Sequence, residues 1–98
     1  MLKLRFSSRI QKDLRLLLKR GYDLSAFDRV VRLLAQNAAL PESLGDHPLK
    51  GDWSGFRECH ITSDWLLIYR VERDTLTLVL VRTGTHSDLF KKIGSSLF

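Results

Sequence analysis

The sequence predicts an α+β domain in which a helical hairpin packs on one face of a small antiparallel sheet, in the order β-α-α-β-β-β. Two stretches with helical periodicity lie in the first 38 residues, and three strand-like stretches lie between residues 56 and 83. The length of 98 residues suits one domain with one modest core. Because two amphipathic helices need an apolar sheet face to cover, these observations together predict a two-layer fold.

The N-terminal half contains the first strand and both helices. Residues 2–6 alternate apolar and polar side chains, as in a half-buried strand, and the pair Ser7–Ser8 offers a helix N-cap. Gly21 is a good helix stop, and the second helix should start near Asp23 or Ser25. The apolar stripe of the first helix consists of Ile10, Leu14, Leu17 and Leu18. That of the second consists of Phe27, Val30, Val31, Leu34 and Ala38.

The C-terminal half is predicted to hold the rest of the sheet. Residues 40–55, with two prolines and several glycines, predict a polar, irregular loop. The polar turn at 72–74 joins two strands into an antiparallel hairpin, and a short helix or turn follows at 85–90. Residues 91–98 are expected to be a frayed tail of the single domain 1–98. The predicted strands are Phe56–Ile61, Trp65–Val71 and Leu76–Thr83.

The composition excludes several classes of protein. No apolar run approaches the ~20 residues that a membrane span requires. The N-terminus lacks the apolar region of a signal peptide, so we expect a cytosolic protein. Cys59 is the only cysteine, which excludes an internal disulfide and a cysteine-rich zinc site.

The positive charge is concentrated at the N-terminus. The chain has 16 Lys and Arg against 11 Asp and Glu, a formal net charge of +5. Residues 1–20 hold seven of the basic side chains and one acidic one, so the rest of the chain is nearly balanced. This distribution indicates either a docking surface for a polyanion or a solvated helix face.

Histidines at strand ends and in loops are the candidate chemical groups. They are His47, His60 and His86, with Asp64 four residues after the second and Arg82 four residues before the third. A histidine pair can take and give a proton near neutral pH, and an arginine can stabilise charge on a phosphate. The same residues also allow three other interpretations: an ordinary histidine content, a metal site built on His60 and Asp64, and an aspartate that caps a turn.

The aromatic residues allow two interpretations. Trp53, Trp65 and Phe90 can stack on the bases of a single strand or pack in the core. Cys59 and Tyr69 are expected to be core residues.

A longer motif joins these residues. Residues 46–61 read DHPLKGDWSGFRECHI, residues 64–69 read DWLLIY, residues 82–86 read RTGTH, and residues 89–90 read LF. This combination closely resembles the YafQ branch of the RelE/ParE superfamily, the toxins of type II toxin–antitoxin modules. The N-terminal half matches only in its order of strand and two helices. Ser63 departs from the proline that relatives often have there, and the tail after Phe90 is longer than is typical of the branch.

The resemblance implies an activity and a site. It implies a RelE-like fold and ribosome-dependent cleavage of mRNA in the A site, which stops translation. In the implied chemistry, a ribose 2′-OH of the mRNA attacks the adjacent phosphate without a metal ion or cofactor. Arg82 would stabilise the phosphate, and His86 would be an indispensable proton-transfer group. The implied catalytic residues are His47, His60, Asp64, Arg82 and His86, and the implied substrate-binding residues are Lys50, Trp65 and Phe90.

The resemblance also implies partners. A cognate antitoxin should cover the toxin, and the complex should bind its operator through the antitoxin. The ribosome and mRNA are the other expected partners. No membrane partner is expected. Lys12, Arg15 and Lys19 are then expected to contact ribosomal RNA. Two alternatives stay open: a ParE-like toxin that binds gyrase, and a basic RNA-binding module without catalysis.

Overall fold

The computed structural model describes residues 1–37 and 39–90. Ala38 of the predicted second stripe and the predicted tail 91–98 lie outside the described residues. One-turn 3-10 helices lie at Glu42–Leu44 and Gly51–Trp53. The other elements are β1 (Lys3–Phe6), α1 (Ser8–Lys19), α2 (Leu24–Ala35), β2 (His47–Pro48), β3 (Arg57–Thr62), β4 (Trp65–Glu72), β5 (Thr77–Gly84) and α3 (His86–Leu89).

The sheet has five strands in the order β1-β5-β4-β3-β2. Strands β3 to β5 pair antiparallel, as predicted, and the short strand β2, which was not predicted, pairs antiparallel with β3. In contrast, β1 pairs with β5 in parallel, with Lys3 opposite Thr77 and Phe6 opposite Leu80. The expectation of an entirely antiparallel sheet is therefore wrong for this one pair. All four residues of β1 are exposed, not half-buried as their alternation predicted, because β1 is an edge strand.

Local signals in the sequence explain both long helices. The Ser7 hydroxyl accepts a hydrogen bond from the backbone N–H of Ile10, and the Asp23 carboxylate accepts one from that of Ser25. The helices bury their stripes against one face of the sheet, where Cys59, Leu67 and Leu80 also lie. Leu18 is the exception, since it is 61% exposed. This first core contains Ile10, Leu17, Phe27, Val30, Val31, Leu34 and Ala35 from the two helices.

The opposite face of the sheet carries a second, smaller core. Residues 65–69 of β4 are buried without alternation because both faces of this central strand are covered. Leu66 and Ile68 contact Leu89 of α3 and apolar residues of the segment 49–56. The predicted irregular loop 40–55 thus contains β2 and the two 3-10 helices, and it covers the sheet. The fold class is confirmed, and each of the three predicted strands lies within one residue of its observed bounds. In the described part of the chain, no helix is long and apolar enough to cross a membrane.

Candidate active site

His60 and His86 meet at one end of the sheet. His60 lies near the end of β3 opposite Leu66, and Leu66 lies opposite Gly84 at the end of β5. His86 begins α3 two residues later, and its ring centroid is 6.1 Å from that of His60. The structure therefore brings these two of the three candidate histidines together, within the reach of one substrate.

Asp64 orients the His86 ring. Its Oδ1 lies 3.1 Å from Nδ1 of His86 and 3.5 Å from the backbone nitrogen of the same residue. With a proton on Nδ1 donated to this carboxylate, Nε2 of His86 remains available for proton exchange. Thr85 and Asp88 form a capping box that fixes the start of α3, and so the position of His86.

His47 approaches the site from the neighbouring strand β2. Its Nδ1 lies 2.7 Å from the carbonyl oxygen of Gly45, and its Nε2 lies 3.4 Å from Oε1 of Glu58. Gly45, at φ +59°, sits so near His60 that a Cβ atom there would lie 3.2 Å from Nδ1 of that ring. Gly45 thus touches both histidines, and a side chain at this position would displace His60.

Glu58 is a site residue that the sequence interpretation missed. It is 5% exposed and lies two residues before His60 on β3, so both side chains leave the same face of the sheet. The buried carboxylate faces Nε2 of His47 and so helps to orient that ring. The signal that could have found Glu58 is the alternation of side chains along β3, which puts residues 58 and 60 on the same face of the sheet.

A three-residue clamp holds the segment that carries His47. The Asp46 carboxylate accepts hydrogen bonds from Nε and Nη2 of Arg57, at 3.3 and 3.0 Å, and from the Tyr69 hydroxyl. Burial, and then the neighbouring Asp46 carboxylate, raise the pKa of Tyr69 above its usual range, so the hydroxyl keeps its proton. Asp46 lies between Gly45 and His47 in the chain. The clamp therefore fixes the contact of Gly45 with the His60 ring and the contact of His47 with Glu58.

Arg82 is held by a carboxylate from α1. Its Nε and Nη2 donate to Oδ2 and Oδ1 of Asp13, each at 2.9 Å, and the backbone N–H of Thr83 donates to the same carboxylate at 3.1 Å. Asp13 was also missed, although it is the only acidic residue in the first twenty. Arg82 lies opposite Ile68 in the sheet, and Ile68 lies opposite Glu58. The Cα atoms of Arg82 and Glu58 are therefore two strand spacings, or roughly 10 Å, apart.

Two of the three predicted substrate residues remain available to a ligand. The ring of Phe90 is partly exposed and lies 6.3 Å from that of His86, beside the histidines. Lys50 is exposed in the turn after β2, three residues from His47.

Of the two interpretations open for Trp65, stacking on a base or packing in the core, the structure supports core packing. Trp65 is 2% exposed, its Nε1–H donates to the Thr83 hydroxyl at 2.8 Å, and Tyr22 packs against it edge to face. Trp65 therefore has no free ring face for a base, and it supports the site from the first core.

The three predicted ribosome-binding residues, Lys12, Arg15 and Lys19, are all exposed on α1. Lys12 lies close to Arg82, because both side chains line a cleft between α1 and β5. Within residues 1–37 and 39–90, no group of three His, Cys, Asp or Glu side chains is arranged to hold a metal ion.

This geometry defines a class of protein: a small basic α+β domain in which His60, His86 and Asp64 meet at the end of an antiparallel meander, with Arg82 paired to Asp13 at the neighbouring edge. Residues 2–91 match the model of a family described as a bacterial toxin of type II toxin–antitoxin systems, YafQ. The chain therefore belongs to the YafQ toxin family, and the resemblance drawn from its motif residues is confirmed.

Known relatives agree in sequence and in structure. The mRNA interferase toxin YafQ of Escherichia coli K12 is 40% identical over 86 residues, covering 87% of this chain and 91% of the relative. A metal-bound toxin from Helicobacter pylori has a TM-score of 0.86 at 46% identity, covering 92% of this chain and 100% of that one. The toxin of the E. coli DinJ–YafQ complex has a TM-score of 0.83 at 37% identity, over 93% and 100% of the two chains.

Proposed function

We propose that this protein is an endoribonuclease that cleaves mRNA and is restrained by a cognate antitoxin. The observation that carries the proposal is the His60 and His86 pair, with Asp64 on the second ring. Two neighbouring imidazoles provide a base and an acid at neutral pH without a metal ion or cofactor. The mRNA interferase name of the E. coli relative supports the same activity.

The proposed reaction is an internal transesterification. One imidazole removes the proton of a ribose 2′-OH, and the resulting oxygen forms a bond to the adjacent phosphorus. The bond from phosphorus to the 5′-oxygen breaks, and the protonated partner gives its proton to that oxygen. The products are a 2′,3′-cyclic phosphate and a 5′-OH end, and no water is consumed in this step.

The other site residues assist the reaction in this proposal. Arg82, fixed by Asp13, directs its remaining guanidinium N–H groups to the phosphate, where negative charge increases in the transition state. His47, beside Glu58, shares the remaining acid–base and positioning roles with His60 and Asp64. Phe90 and Lys50 contact the RNA next to the cleaved bond.

The cleavage is proposed to take place on the ribosome, in the A site, and to stop translation. The exposed cations Lys12, Arg15 and Lys19 on α1 suit contacts to RNA phosphates. The antitoxin is proposed to cover this basic protein with an acidic segment and to carry the complex to its operator. The DinJ–YafQ complex of E. coli provides a precedent for such a pair.

The test is inducible expression followed by mapping of new RNA 5′ ends. Wild-type protein should generate 5′-OH ends in translated regions, and His86→Gln should abolish them while the protein stays folded. Ser87→Ala, a change to the exposed neighbour on α3, is the matched control and should cut normally.

Two outcomes would contradict the proposal. Growth arrest by a folded variant with both His86→Ala and Arg82→Ala would rule out RNA cleavage as the toxic activity, and a gyrase supercoiling assay would then test the ParE-like alternative. Equal cleavage of free and translating RNA would rule out the A-site mechanism.

A further inference from the structure

An open cleft of about 390 Å³ lies between α1 and the ends of β5 and α3. Of its lining residues, only Arg82 and Thr83 belong to the motif, and only Arg82 has a part in the proposed reaction. Arg9, Lys12 and Leu16 line it on the helical side, and Arg82 and Asp88 line it on the other.

The two carboxylates of the cleft are already paired. Asp13 accepts the hydrogen bonds of Arg82 described above. Asp88 accepts two hydrogen bonds from Arg20, at 2.9 and 3.2 Å, which hold the pKa of Asp88 down to about 2. Both acids are therefore charge-balanced, and neither is available to neutralise another cation.

Two cations of the cleft remain unbalanced. Arg9 and Lys12 form no ion pair or side-chain hydrogen bond with any residue in the described ranges 1–37 and 39–90. Both are exposed and sit three positions apart, so they lie on one face of α1. Beside them Leu16 is 44% exposed, which adds an apolar surface. Two such cations can bind the phosphate of a phosphodiester, and the apolar side chain beside them can contact the adjoining sugar.

The position of the cleft selects RNA as the ligand. Arg82, assigned above to the cleaved phosphate, forms part of its wall, and α3, whose first residue is His86, forms another. An RNA strand whose phosphate binds Arg82 would therefore reach this cleft.

We propose that the cleft is a backbone subsite for the mRNA strand next to the cleaved bond. Arg9 and Lys12 bind one phosphate there, and Leu16 contacts the adjoining sugar. The subsite rests on the proposed function and deepens it. It also divides the basic helix, because Arg15 and Lys19 lie outside the cleft and belong to the outer surface.

Exposed cations elsewhere on the chain provide matched controls for a test. Arg9→Gln and Lys12→Gln each remove one positive charge from the cleft, whereas Arg29→Gln on α2 and Lys3→Gln on β1 remove the same charges from exposed positions outside it. The probe is a fluorescent single-stranded RNA whose 2′-OH groups are methylated, so that it cannot be cleaved. Its dissociation constant is measured by anisotropy for the full chain from about 50 to 200 mM salt.

We expect each cleft variant to weaken binding several-fold. Removing both cations in one double variant should reduce the slope of log K against log salt by about 0.7, the value for one single-strand phosphate contact. The control variants should change the affinity less than twofold. If all four variants lost the same affinity for RNA, the overall charge of the protein would explain the loss, and the proposed subsite would be wrong. No loss at Arg9 and Lys12 would overturn it as well.

A third outcome separates RNA from antitoxin. If the cleft variants bind RNA normally but bind the cognate antitoxin more weakly, the cleft is part of a protein interface and the proposal is wrong. Failure of the proposed function has a different signature, since wild-type protein would then produce no new 5′ ends whatever the binding data show.

Discussion

Asp13→Asn tests whether a carboxylate on α1 holds Arg82 in place. The carboxylate accepts three hydrogen bonds from β5, two from the Arg82 guanidinium and one from the Thr83 backbone. Asparagine has nearly the same shape but keeps only one oxygen. If that oxygen occupies the position of Oδ2, the amide nitrogen faces Nη2 of Arg82, and two donors oppose each other.

The expected loss follows from this geometry. A hydrogen bond to a charged group contributes about 1.5–3 kcal/mol, and removing one partner of a buried ion pair costs about 3–5 kcal/mol. The Arg82 side chain is 16% exposed and that of Asp13 9%, so water compensates in part, and we expect a loss of about 2–3 kcal/mol in the free energy of unfolding. For a chain of this length, that corresponds to a Tm lower by about 10–20 °C.

The measurement is urea unfolding at neutral pH, with thermal unfolding as a second observable. The matched control is Asp28→Asn, because Asp28 pairs with Arg32 at 2.7 Å and both side chains are more than half exposed. That control should lose less than about 0.5 kcal/mol. Below its unfolding temperature, Asp13→Asn should also cleave RNA more slowly, since Arg82 loses its fixed position. Equal losses in the two variants, or a loss below about 1 kcal/mol at Asp13, would refute the reasoning.

Three further predictions rest on single contacts. Tyr69→Phe removes one hydrogen bond to Asp46, so unfolding free energy should fall by about 1–2 kcal/mol, and RNA cleavage should slow because the clamp loosens. The Arg20 guanidinium lowers the pKa of Asp88, so this pair stabilises the fold above the ordinary aspartate range, and that stability is lost as the pH falls toward about 2. Urea unfolding from about pH 5 to pH 2 should therefore show a shallower loss for Asp88→Asn than for wild type. Cys59 is fully buried, which raises the pKa of its thiol to about 12, so iodoacetamide should label it in guanidinium chloride but not in the native protein at mildly alkaline pH.

Each of these predictions has a contrary result. Tyr22→Phe is the control for the clamp, because its hydroxyl makes no side-chain hydrogen bond within the described residues. If Tyr22→Phe and Tyr69→Phe lowered the unfolding free energy and the cleavage rate equally, the hydrogen bond from Tyr69 to Asp46 would not explain the loss. Parallel acid-unfolding curves for wild type and Asp88→Asn would show that the Arg20 pair adds no stability. Rapid labelling of native Cys59 would show that β3 opens readily.

Local interactions explain why so much of the fold could be predicted. The Ser7 cap connects residues three apart, and the stripes of α1 and α2 follow from side chains three and four residues apart. The hairpin of β4 and β5 needs only a polar turn between two apolar runs. Such short-range patterns are written directly in the sequence, and so is the motif that predicted the YafQ family.

Burial and partner choice could not be predicted in the same way. Trp65 belongs to a motif that suggested a substrate residue, yet it packs in the first core because the helical hairpin covers that face of β4. Leu18 matched the apolar stripe of α1 and is nevertheless exposed. Whether a side chain meets protein or water depends on what the tertiary fold places above it.

The sequence by itself determined the two long helices, the four longer strands and the family, and it pointed to the three histidines with Asp64 and Arg82 as candidate site residues. Only the tertiary structure decided that β1 pairs in parallel with β5, that Asp13 holds Arg82, and that a cationic cleft runs beside the site. The physical reason is distance along the chain. Asp13 and Arg82 are 69 residues apart, and contacts of that kind form only when strand register and helix packing bring their elements together.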